Sequence, residues 1–508
     1  MLAPDYLDHA PDRLILLWQQ AEDDILRDVA RRIGKMDTLT PTVNWQLWRY
    51  QQTEAVRKDV VKLLARYTGK SEAEIRRLMQ EAAIAALEAE DAIYFHYGKE
   101  PTPFEESAPL QNLLNAGYRQ TAGSFSNLTA TTANTVSGAF EQALDRAWLQ
   151  VSSGAFDYKT AVKRAVDGLA DSMPYVTYPS GHRDTLEVAC RRAVLTGVNQ
   201  TGAKLQEARM DEMGASFVEV TAHGGARPSH AVWQGRRYHR GGAVDYLGQH
   251  YEDFESATGY GTGAGLCGWN CRHTFFVVFP ELGSPPAWTQ ESLEALNARD
   301  IEYDGRLYTR YEISQMQRAR ERAVRKWKRR YLAEDAAGAD TTASAMKLRQ
   351  ARQSLADFTR ATGGRVDSAR TSVHGFGRSA SSKASYAARK QEQFNAANTE
   401  LQQMREAGTI KAKGRLIESP SAPNEINFAS DHVLQRWAER GMGPMDAERI
   451  IRSSKVAMSQ RNGTQTCYYS ELGFVAIGQD GNVSSIGPLD EGGKKLMEVV
   501  KKHGIPHS

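Results

Sequence analysis

Cysteine is scarce in this 508-residue chain, with only Cys190, Cys267, Cys271 and Cys467. Four thiols exclude a disulfide scaffold and fit synthesis in a reducing cytoplasm. Long apolar runs are missing too: no stretch approaches the roughly 20 apolar residues of a membrane span, so no membrane is expected as a partner. The opening MLAPDYLDHAPDRLILLWQQ lacks the basic start and small-residue cleavage site of a secretory signal. Neither sign of charge dominates, since 64 Lys and Arg stand against 61 Asp and Glu. A net charge of +3 excludes a chain that coats polyanions along its whole length. No internal repeat is visible.

What is present is helix after helix, over a length that implies several domains. The pattern predicts a multidomain, mostly α fold. Residues 1–180 read as a helical platform, in which Leu14, Leu17, Trp18, Ala21, Ile25 and Val29 form an apolar stripe at helical spacing. Ser71 and Glu74 have the spacing of a capping box, which predicts a helix start there and an end near Gly98. Residues 181–290 predict a small α/β domain: a long helix stopped at Gly214, a strand around Phe217–Val220, then loops and strands holding His223, His230, His239, His250 and His273. Residues 291–370 predict a turn at Asp304-Gly305 and a basic helical hairpin. Residues 371–425, small and polar, predict a flexible tether. Residues 426–508 predict an α+β module of two helices followed by short antiparallel strands.

Chemistry concentrates in GYGTGAGLCGWNCRHTFFVVFP, residues 259–280. Cys271 and His273 stand two apart at the mouth of a strand, so their side chains can share a face. With Cys267 and His230 or His239 they could complete a sulfur and nitrogen set of the kind zinc prefers. Two other readings compete. One is a nucleophilic cysteine with His230 or His273 as its base; the other is a loop signature in which Trp233 and Trp269 stabilise the domain. The glycine run is no phosphate loop, because it precedes a strand and lacks the Gly-Lys-Ser/Thr ending.

The helix around 318–330 carries Arg318, Arg322, Arg325, Lys326, Lys328, Arg329 and Arg330 beside Trp327. Such a stripe can meet nucleic-acid phosphates or an acidic partner, or can simply be solvated. In the tail, His432, Arg436 and Arg440 are four apart on one helical face. A histidine with arginines beside a small sheet is the equipment of a metal-independent ribonuclease; a wet polar helix face is the plainer alternative.

Three stretches, ARPSHAVWQGRRY, GYGTGAGLCGWNCRHTFFVVFP and YEISQMQRARERAVRKWKRR, together resemble the phage minor capsid protein 2 family. That family is similar to the wider Mu F-like and SPP1-type head morphogenesis proteins of tailed bacteriophages. The resemblance covers residues 1 to about 370. It implies a structural minor head protein in the virion, at the portal and capsid interior, assisting head assembly or DNA packaging and delivery. Portal protein, major capsid protein and packaged DNA would be its partners, and this region would not be an enzyme. Mu F-like relatives carry Cys-Arg-Cys where this chain has Cys271-Arg272-His273. That exchange favours a structural zinc held by His230, Cys267, Cys271 and His273. The tail resembles phage-borne nuclease toxin modules of the barnase, EndoU, colicin and RelE-like group, which implies a ribonuclease effector using His432, Arg436 and Arg440.

Overall fold

A computed structural model describes the chain except residues 1, 36–43, 173–174, 178–181, 418–422, 424–425, 429–430, 455 and 506–508. The side chains of residues 44, 130, 172, 175, 177, 183, 431–433 and 436 are likewise outside the described set. The chain is mostly helical, with several small antiparallel sheets, as the sequence predicts. It divides into two compact units, Met1–Ser381 and Ser382–Ser508.

The first unit is organised by two long helices, Asn44–His96 and Ala108–Ser152, which pack against one another. At the α-helical rise of 1.5 Å per residue they span about 80 Å and about 68 Å. Helices Asp12–Gly34, Tyr158–Ser172 and Leu186–Met213 pack against them, and helix Arg310–Ala336 packs on the first two of these. The predicted stripe does bury its apolar side chains: Leu14, Trp18, Ala21, Ile25 and Val29 join Phe125, Phe140 and Leu195 in one core.

The predicted helix start at Ser71 is replaced by a helix running straight through it. The Ser71 hydroxyl donates to the Tyr67 carbonyl one turn back, and Glu74 is held by Arg77. A hydroxyl satisfied within the helix has no amide to cap. The end near Gly98 is as expected, with Gly98 at φ 71°.

Helix Leu186–Met213 starts on a Thr185 cap and stops at Gly214, which adopts φ 65°. It carries the chain into a three-stranded antiparallel sheet whose middle strand is Phe217–Val220, flanked by Arg237–His239 and Phe275–Val277. The strand Phe275–Val277 is therefore an edge, and such an edge needs partners. Helix side chains supply them. Asn199 Nδ2 donates to the carbonyls of Cys271 and His273, Gln206 Nε2 donates to that of Phe275, and Glu90 accepts from the Val277 amide. All three side chains are buried.

Asp304 and Gly305 do turn a hairpin, between strands Arg299–Tyr303 and Arg306–Thr309. Helix Arg310–Ala336 follows on a Thr309–Glu312 capping box. Within 371–425, where composition predicts a tether, helix Arg378–Glu406 occupies most of the length. In the second unit its Phe394, Ala397 and Leu401 are buried at three- and four-residue steps, so a weak apolar stripe drives a helix that small polar residues obscure.

The second unit adds helices Asp431–Glu439 and Pro444–Ser453 and a five-stranded antiparallel meander. Its strands run Arg415–Ile417, Val456–Gln460, Gln465–Ser470, Gly473–Gly478 and Val483–Gly487 in spatial order. Helix Glu491–Lys502 packs its Leu496, Val499 and Val500 into the same core. The last four strands were legible in the sequence; the first strand and the final helix were not.

Candidate metal centre

His230 lies in the short turn of helix Pro228–Ala231, and Cys271 and His273 stand just before strand Phe275–Val277. The fold brings these three side chains together, buried, with their donor atoms within 4.8 Å of one another. Cys271 Sγ is 3.6 Å from His230 Nδ1 and 3.5 Å from His273 Nδ1, and the two Nδ1 atoms are 3.5 Å apart. A tetrahedral zinc with Zn–S near 2.3 Å and Zn–N near 2.05 Å sets such atoms about 3.3–3.6 Å apart. The spacing therefore suits one ion.

The rings are oriented by their far nitrogens. His230 Nε2 is 2.9 Å from the Ala264 carbonyl oxygen, and His273 Nε2 is 2.9 Å from Gln234 Oε1. The His223 amide also donates to Gln234 Oε1, which fixes that amide's orientation. Both Nε2 atoms thus donate a proton, leaving each Nδ1 with a lone pair turned towards Cys271.

Burial reinforces this state. It pushes His230 down to about 4 and His273 well below its ordinary range, aided for His273 by the neighbouring imidazoles and arginines. Neutral imidazole is the form that binds metal. Burial also raises the Cys271 thiol and holds Cys267 well above its usual value. A raised, buried thiol is a poor nucleophile, so the geometry disfavours the catalytic-cysteine alternative, while a bound cation would stabilise the Cys271 thiolate.

The glycine run has a local explanation. A Cβ on Gly265 would stand 1.9 Å from the Gly259 carbonyl oxygen, and one on Gly268 would stand 2.5 Å from that of Gly263. The loop folds back on itself with no room for side chains, and in doing so presents the Ala264 carbonyl to His230. Cys267 lies nearby, its Sγ 3.6 Å from the His273 carbonyl oxygen, but it is outside the three-donor group. His239 is also apart, with Nδ1 2.7 Å from the Gly242 carbonyl. Trp233 packs on both His230 and His273, whereas Trp269 is 57% exposed.

A cavity of about 360 Å³ borders all three donors, and Asp8, His223, Arg191, Arg272, Arg318 and Arg370 are among the residues that line it. Gln234 and Asn199 carried no signal that was used in the sequence, and His223, which counted there only as one of five histidines, stacks its ring on His273 at 4.4 Å. The available signal was a pair of amides seven residues apart, Asn199 and Gln206, on one helix face.

The basic helix turns much of its charge inward. Arg329 makes a bidentate pair with Glu22 at 2.9 Å and reaches Asp23 at 2.8 Å. Arg325 pairs with Glu187 at 2.8 Å, Lys326 with Asp171 at 3.0 Å, and Arg330 with Asp167 and Asp171. Lys328 donates to the Thr371 carbonyl. Arg318 stands 4.0 Å from Asp8, and Arg322 is exposed. In the tail, the side chains of His432 and Arg436 lie outside the described residues, and Arg440 donates to the Ile486 carbonyl at 2.8 Å.

Among the described residues, no helix is long and apolar enough to cross a membrane. No curated protein and no solved structure matches the chain. A family model described as Phage minor capsid protein 2 matches residues 2–360, a span that holds the long helices, the three metal-type donors and the basic helix. The chain belongs to the phage minor capsid protein 2 family.

Proposed function

We propose that this structural phage protein works inside the head, against the portal, where it assists assembly or DNA packaging and delivery, and that a zinc ion clips its small sheet domain. Family membership carries the first half: a minor capsid protein has capsid partners and a place in the virion. The three donors at 3.5–3.6 Å, two of them fixed through their far nitrogens, support the second. His230, Cys271 and His273 would hold the ion, and its chemistry there is to tie the loop 259–271 to the sheet edge.

Metal content tests the clip. Full-length protein purified without a histidine tag should carry about one zinc per chain, and Cys271→Ser should lose it together with melting temperature. Equal zinc in the two proteins sinks the clip. Quantitative mass spectrometry of purified virions tests the placement: the protein should co-fractionate with portal protein after mild capsid disruption, and release with the coat protein alone argues against the portal.

A second reading concerns the tail. Ser382–Ser508 is compact by itself and lies beyond residue 360, where the family match ends. That supports an appended module, in line with a virion-carried ribonuclease. Residues 382–508 should then degrade RNA, and His432→Ala should abolish the cleavage; equal RNA decay in both removes His432 from any such role.

A further inference from the structure

The cavity beside the metal donors has a charge imbalance that the metal does not explain. Seven arginines line it against three carboxylates, Asp8, Glu187 and Glu321, an excess of four positive charges. Glu187 is taken by Arg325 at 2.8 Å, and Glu321 accepts from Gln317 at 2.9 Å. Asp8 is left to face four guanidinium groups: Arg370 at 3.3 Å, Arg272 at 3.7 Å, Arg191 at 3.8 Å and Arg318 at 4.0 Å. Three of those distances exceed a direct hydrogen bond. Arg191 and Arg370 have further carboxylates, Asp12 and Asp367, at 3.2 Å each. Among the described residues, Asp8 is the carboxylate within 4.0 Å of Arg272 and Arg318.

Such crowding is costly where water is partly excluded, because like charges repel more strongly there. Burial and the neighbouring Arg370 pull Arg318 down to about 10, below the ordinary guanidinium range. Burial also works against charge on Asp8, yet the surrounding arginines outweigh it and hold that carboxyl below its usual value. Ser314 and Tyr311 line the same wall. Guanidinium forks converging on one space match the geometry of a tetrahedral oxyanion. The excess is more than a single carboxylate ligand would neutralise, which favours a doubly charged group.

We propose that this cavity is a phosphate-binding site, taking one phosphate group between Arg318, Arg370 and Arg272. The group would be either free phosphate or the terminal phosphate of a nucleic-acid strand. This goes beyond the zinc clip and does not depend on it, since the arginines supply the recognition.

The test follows the melting temperature of the full-length protein as sodium phosphate replaces sodium chloride at constant ionic strength and pH 7.5. A saturable rise is expected, and Arg318→Gln or Arg370→Gln should weaken the apparent phosphate affinity about tenfold. Arg322→Gln keeps the experiment interpretable if those variants fail to fold, because Arg322 is exposed on the cavity lining; it should weaken phosphate as well. Asp8→Asn, which removes the competing carboxylate, should melt lower in chloride and recover in phosphate. A wild-type melting temperature indifferent to phosphate overturns the site, as does a rise that the arginine variants leave unchanged. A response lost on stripping metal with EDTA would assign the anion to the ion and also overturn it. Short oligonucleotides with and without a 5′-phosphate then separate the sources. Protection by the phosphorylated strand at far lower concentration than inorganic phosphate identifies a strand end, and equal potency identifies the free ion.

Discussion

His230, Cys271 and His273 show how far one position can be read from sequence. The pairing of Cys271 with His273 was legible, because residues two apart on a strand share a face. Cys267 was a natural fourth ligand by proximity along the chain, but its thiol falls outside the group of donors that lie within 4.8 Å of one another. Accordingly Cys267→Ser should keep its zinc while Cys271→Ser loses it, measured side by side by elemental analysis. The histidines also set a pH dependence. Burial holds native His230 and His223 near 4, whereas an unfolded imidazole titrates near 6.5. Between those values the unfolded chain binds more protons, so the metal-free protein loses stability as pH falls through that window and keeps it fully above 6.5. Thermal melts of EDTA-treated protein from pH 7.5 to 4.5 should decline; a flat profile would mean the rings titrate normally. Gly265→Ala probes the loop itself. With a backbone oxygen 1.9 Å from the new Cβ, it should cost about 1–3 kcal/mol in denaturant unfolding.

At the scale of the element, helix boundaries set by glycine were readable and partners across the fold were not. The helix stop at Gly214 and the hairpin at Asp304-Gly305 are local chemistry. The basic helix Arg310–Ala336 is the contrary case. Its charge was plain, but the carboxylates that meet it, Glu22, Asp23, Asp167, Asp171 and Glu187, come from helices far away in sequence. Arg329 is the centre of this arrangement, holding two buried acids at once. Arg329→Met should therefore cost about 3–5 kcal/mol, since it strands two carboxylates away from water. The equivalent loss from Lys326→Met should be under about 1 kcal/mol, because that lysine is half-exposed. Chemical denaturation of the two variants in parallel reads both values; similar losses would mean the buried triad contributes no more than a surface pair.

For the whole molecule, the division into two compact units at residue 381 predicts separable folding. Residues 382–508 alone should melt cooperatively, and residues 1–377 alone should retain the zinc of the full chain; an unfolded fragment in either case would overturn that autonomy. Within the first unit, the clasp on the strand Phe275–Val277 ties distant parts of the chain to one fate. Glu90 belongs to the 53-residue helix, yet its carboxylate is the partner of the Val277 amide. That amide cannot open to solvent until the helix lets go of it. The amide hydrogens of Val277 and of the helix turns around Glu90 should therefore exchange with deuterium at a common slow rate, as one cooperative unit. Glu90→Ala should speed Val277 exchange while the distant half of the same helix keeps its own tempo.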